Sequence, residues 1–91
     1  MAIEYRNLME DIVLQNLDTV MEAEGGCTCE ACKADVIAYA LNHLPPHYVA
    51  TDRGRLMVKL KSYEIQARAD VLSAVSEAAV MVAKSPRHVR E

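Results

Sequence analysis

The sequence predicts an all-α protein: a compact domain of three to four helices that carries a cysteine knuckle and dimerises through its long C-terminal helix. Three observations carry that expectation. The 91 residues are 52% hydrophobic yet include no Phe or Trp, so Ala, Val, Leu, Ile and Met must fill the core. That palette suits helices, because strands draw on aromatic and β-branched residues in period-two alternation, and no such alternation persists here. Apolar residues recur instead at helical spacing, and Cys27, Cys29 and Cys32, the only cysteines, crowd into the segment GGCTCEACKADV. A chain this short supports a single core, so residues 1–91 are read as one domain.

The first helix is expected from about Ile3 to Met21, where Tyr5, Leu8, Met9, Ile12, Val13, Leu17, Val20 and Met21 follow the i, i+3, i+4 pattern. Gly25-Gly26 ends it. The second runs from about Glu30 to Leu44 with Ala34, Ile37, Ala38, Leu41 and Leu44 on one face, until Pro45-Pro46 forbids continuation. HYVAT, residues 47–51, is extended linker or a short strand. The third helix starts near Thr51 or Asp52, either of which suits a cap, and meets no proline before Pro86. About thirty residues at 1.5 Å each give ~45 Å, so such a helix protrudes from a small monomer. Its later part, with Val71, Leu72, Val75, Ala78, Ala79 and Val82, is apolar on two sides. A homodimer packed through it covers both; a kink near Gly54 or Ser62 is the competing arrangement.

The chain shows no basic start followed by a secretory apolar stretch and no run long enough to span a bilayer. An odd number of cysteines in one loop is a poor disulfide framework, so a cytoplasmic, reducing setting is expected. Charge is unevenly distributed: residues 1–50 carry a net −6 and residues 51–91 a net +3. Either the halves complement each other in the fold or the basic half receives an anion.

Cys27 and Cys29 fall in the loop after the glycine turn, and Cys32 falls in the first turn of the second helix. Thiolates are favoured there by unpaired backbone N–H groups and the helix dipole. Zinc suits the cluster, since structural sites take four N or S donors in a tetrahedron. His43 and His47 lie at the wrong end of the second helix. His88 follows the third helix and reaches the cluster if helices two and three pack antiparallel, which makes it the candidate fourth ligand. Unligated thiols, a redox pair or a cluster cofactor are the competing readings, and an iron–sulfur cluster is disfavoured because it usually takes four cysteines.

The residues CTCEACKADVIAYALNHLPPHYV, followed near the far end by AVMVAKSPRHV, resemble the late competence development protein ComFB family. The resemblance runs from the first helix to the SPRH segment, and its most specific part is the triple-cysteine loop leading into a helix that ends in LPPHYV. It implies a single ComFB-like domain that forms a small helical homodimer with a cysteine-bound zinc in each protomer. Cys27, Cys29 and Cys32 match the family's cysteine loop. Relatives can add a cysteine from the C-terminal tail; none follows the SPR segment here, and His88 is the substitute. Some relatives are encoded beside DNA-uptake genes, and some are associated with cyclic dinucleotides and with motility or pilus control.

For an enzyme, the one nucleophile cluster is better spent on metal, although a three-ligand zinc holding water at its open vertex would be catalytic. Extended nucleic acid fits poorly with an acidic protein that lacks an aromatic platform. The expected function is therefore that of a non-enzymatic, zinc-containing regulatory or adaptor protein, for which the resemblance implies a role related to competence, type IV pili or motility; the partner expected is a protein or a cyclic dinucleotide. The alternative is a cyclic dinucleotide receptor, for c-di-GMP or c-di-AMP, using the basic segment 51–61. There Thr51, Arg53, Gly54, Arg55 and Lys59 could converge on phosphate, and a dimer presents the patch twice.

Overall fold

Asn7 fixes where the first helix begins. Its side chain accepts a hydrogen bond from the Met9 backbone N–H at 3.1 Å and another from the His47 N–H at 2.8 Å, while the Leu8 N–H donates to the His47 carbonyl at 2.8 Å. One amide therefore caps a helix and holds a distant segment against it. The computed structural model describes residues 4–50 and 53–85. Chain order is β1 (Tyr5–Asn7), α1 (Leu8–Glu24), α2 (Glu30–Asn42), β2 (Tyr48–Ala50) and α3 (Arg53–Lys84). Residues expected to open the first helix instead pair antiparallel with β2, in the register Tyr5↔Ala50, Arg6↔Val49 and Asn7↔Tyr48. The short strand foreseen in HYVAT thus has a partner, and Tyr5 is exposed rather than core.

Every apolar residue expected on the first helix from Leu8 onward is buried. The helix stops at Gly25, whose φ of 76° is left-handed, and the Gly25 N–H returns to the Met21 and Glu22 carbonyls. In α2 the buried stripe is Cys32, Val36 and Ala40, four apart, with Leu44 beyond the helix end. This corrects the expected face: Ile37 and Leu41 are half-buried, while Ala34 and Ala38 are exposed. Alanine spread around the helix weakens the sequence pattern, and docking onto its neighbours decides the phase.

The third helix is unbroken over 32 residues. At 1.5 Å per residue it spans ~48 Å, which matches the 48 Å long dimension of the molecule. The expected Thr51 or Asp52 cap lies outside the described residues. Leu60, Ala67, Val71, Ala74, Val75, Ala78 and Ala79 are buried on it, and α1 and α2 pack against it. Several contact residues are alanines, including Ala40 of α2, so the helices approach closely with few large side chains between them. No helix among the described residues is long and apolar enough to cross a membrane.

Candidate metal centre

The knuckle is built by the turn that ends α1 and the cap that begins α2. Gly25 reverses the chain, and Gly26 runs so close to α3 that a Cβ placed on it would lie 3.5 Å from Ala83 Cβ. Cys29, in extended conformation (φ −69°, ψ 164°), is the N-cap of α2. Cys32 lies one turn in and is 2% exposed, whereas Cys27 and Cys29 face solvent. The three sulfurs lie within 4.8 Å of one another. Lys33 steadies the same turn from outside through an ion pair of 2.9 Å with Asp18 of α1.

The thiols are electrostatically unequal. Cys29 is held below the ordinary thiol value, first by the Cys32 backbone N–H at the helix start and then by the Cys27 side chain. Cys32 is pushed up to about 12, first by burial and then by hydrogen bonding with Cys29 and Cys27. A cation among the three sulfurs would relieve that penalty, because the metal takes the place of the thiol proton, which is released to solvent. The donor set fits zinc: Zn–S bonds of ~2.3 Å in a tetrahedron separate sulfurs by ~3.8 Å, so the cluster has to contract by only about 1 Å.

The antiparallel packing expected of α2 and α3 is present. A cavity of about 230 Å³ beside Cys27 and Cys32 is closed by Ala79, Val82 and Ala83 of α3, with Glu24 also on its wall. At the other end of α2, His43 lies in a groove with Asp70, Ser73 and Glu77 of α3. The C-terminal end of α3 therefore sits beside the cysteines. His88 itself lies outside the described residues.

The basic segment is at the opposite end of α3. Thr51 lies outside the described residues, Arg53, Gly54 and Arg55 form the first turn of α3, and Lys59 is exposed one turn on. Lys59 lines a groove of about 450 Å³ together with His47, Val58, Ser62, Tyr63 and Gln66. The His47 and Tyr63 rings stack there with centroids 3.9 Å apart. The sequence reading missed that ring pair, which forms only when β2 folds back along α3. His43, by contrast, stacks on Tyr39 at 4.2 Å and contacts the Tyr39 carbonyl through Nδ1 at 2.7 Å, which closes the end of α2.

Fold and site together define a small three-helix protein whose α1–α2 loop presents a three-cysteine knuckle that could hold a metal ion. The model of the late competence development protein ComFB family matches residues 6–86, and the chain belongs to that family. It is 31% identical over 81 residues to the competence protein ComFB of Bacillus subtilis (strain 168), covering 88% of this chain and 83% of that one. Its fold is similar to the solved structure of the late competence protein ComFB from Bacillus subtilis, with a TM-score of 0.77 at 29% identity over 96% of this chain and 97% of the other.

Proposed function

We infer that this protein is a non-enzymatic regulatory or adaptor protein of late competence, cytoplasmic, and working as a zinc-clamped homodimer. The observation that carries the reading is the convergence of the Cys27, Cys29 and Cys32 sulfurs within 4.8 Å at the start of α2. Zinc, an ion without redox chemistry of its own, there ties the 25–29 loop to α2, with His88 as the fourth donor and Glu24 as its replacement. The competence role comes from the family and from the Bacillus subtilis relative's name.

The dimer reading is supported by the side of α3 turned away from α1 and α2. Val58, Ile65 and Leu72, seven apart, are 69%, 75% and 37% exposed. The small residues Ser62, Ala69 and Ser76 share their side of the helix. A second copy crossing antiparallel about Ile65 covers this strip and sets Lys59 near the other copy's Asp70, whereas a parallel copy would stack the basic starts of both helices. Elemental analysis of protein purified without chelators, combined with light scattering, tests both parts. The expected result is one zinc per protomer in a dimer; a metal-free monomer at tens of micromolar refutes it.

A second reading, a cyclic dinucleotide receptor, is favoured by the groove at Lys59. Stacked rings, the Ser62 hydroxyl, the Gln66 amide and a nearby cation are groups suited to a base and a phosphate. Arg53 and Arg55 in the preceding turn add charge to that end of α3. Calorimetric titration with c-di-GMP and c-di-AMP tests it. Saturable binding lost in Lys59→Glu but kept in Cys29→Ser supports the groove, and no heat with either nucleotide removes it.

A further inference from the structure

We propose that Cys29 and Cys32 form a reversible thiol–disulfide pair whose closure discharges the metal, so that the knuckle responds to oxidants as well as clamping the fold. The discharge rests on the zinc reading above; the disulfide rests on geometry alone. Cys29 is the N-cap of α2 and Cys32 the third residue of its first turn, a spacing that brings both side chains to the same side of the helix start with sulfurs within 4.8 Å. A disulfide needs Cβ atoms ~3.5–4.5 Å apart and sulfurs ~2.05 Å apart. Cys29 sits at the end of an exposed loop, where side-chain rotation and a small loop shift can supply the approach.

Exposure assigns the roles. Cys29 faces solvent, while Cys32 is 2% exposed beneath it. A dissolved oxidant therefore meets Cys29, or Cys27 beside it, before Cys32, and Cys32, across the first turn from Cys29, resolves the product at Cys29 from inside. Cys27 is the poorer partner for Cys29, because only Thr28 separates them and the smaller ring is more strained.

With hydrogen peroxide as oxidant, the Cys29 thiolate attacks one peroxide oxygen, the O–O bond breaks, and hydroxide leaves and is protonated to water. The resulting sulfenic acid is attacked by the Cys32 sulfur. The S–S bond forms as the S–O bond breaks, and the departing hydroxide is protonated to a second water, by solvent where zinc has already displaced the Cys32 proton and by the Cys32 thiol itself in metal-free protein. The pair loses two electrons and the peroxide gains them. Two of the three sulfur donors are then withdrawn, and the one thiolate left, Cys27, with a single further donor does not make the four-donor set that holds the ion.

The test titrates zinc-loaded full-length protein with hydrogen peroxide and reads three quantities: zinc captured by a chromophoric chelator, thiols alkylated after denaturation, and disulfide position by peptide mass mapping. Zinc release should track disulfide formation one for one, alkylatable thiols should fall from three to one with the remaining label on Cys27, and dithiothreitol with zinc should restore the start. Cys27→Ser should still form the link, and Cys32→Ser should leave Cys29 as a sulfenic acid trapped by dimedone. A Cys27–Cys29 link, or zinc and all three thiols retained while free glutathione in the same tube is oxidised, overturns the pair. A Cys29–Cys32 disulfide in protein that holds no zinc beforehand overturns the discharge and the metal reading, and separates that failure from failure of the pair.

Discussion

Ile65→Ala separates assembly from folding. Fully burying an isoleucine side chain is worth ~1.5–3 kcal/mol, and Ile65 is 75% exposed in the protomer, so about three-quarters of that remains for a partner. Two-fold pairing uses the residue on both protomers, which gives ~2–4 kcal/mol in the dimer and raises Kd about 30- to 1000-fold. The protomer itself should lose less than ~1 kcal/mol. Val71→Ala is the control, because Val71 is fully buried and its truncation acts on the core. Sedimentation velocity over a dilution series measures association, and circular dichroism melts at a concentration where both proteins are monomeric measure folding. The reasoning is refuted if Ile65→Ala lowers the monomer melting temperature as much as Val71→Ala does, or if its Kd equals that of the unaltered protein.

Cys29→Ser should lose zinc outright in elemental analysis. Chelation of the unaltered protein should lower the melting temperature while keeping the helical circular dichroism signal, since the buried contacts among α1, α2 and α3 persist without the ion. Asn7→Ala removes a cap and leaves the His47 N–H without its acceptor; the expected cost is about 2 kcal/mol, read as a melting temperature ~8–16 °C lower. In metal-free protein the Cys32 thiol is raised from 9.0 to about 12, so folding keeps a proton that the unfolded chain sheds. Its advantage is whole below pH 9.0 and is lost as pH climbs toward about 12. Urea melts should therefore show the stability gap between metal-free protein and Cys32→Ala narrowing across that window.

Legibility in the sequence followed how sharply each helix is amphipathic. The α1 stripe, from Leu8 to Met21, could be read residue by residue, since acids separate its apolar positions. Its first residues could not: Tyr5–Asn7 fit a helical pattern as well as a strand, and only pairing with residues forty-odd positions away chooses between them. In α2, alanine at positions 31, 34, 38 and 40 satisfies several faces equally, and the tertiary approach of α3 selects Ala40. The length of α3 followed from the absence of proline, but the two apolar sides of its later part were weighted wrongly. Of the residues read as covering those two sides, Val71, Val75, Ala78 and Ala79 are buried within the protomer, while Leu72 is exposed in line with Val58 and Ile65. The cysteine cluster was legible from spacing because the donors are close in sequence. The His47–Tyr63 stack was not, because it depends on a chain reversal.

The alanines buried at Ala40, Ala67, Ala74, Ala78 and Ala79 make this protein asymmetric in what it tolerates. A protein with Phe and Trp at its centre is injured mainly by truncation, but here many of the buried positions are already near the smallest side chain available, so further loss removes little. Enlargement is the hazard. A leucine at Ala78, which is fully buried, has no void to enter and must separate helix backbones at a cost of ~1–3 kcal/mol or more. Random mutagenesis should therefore find inactive variants concentrated among bulkier replacements at these alanines, and stabilising ones among replacements that shrink or polarise the exposed strip only where self-association is not required.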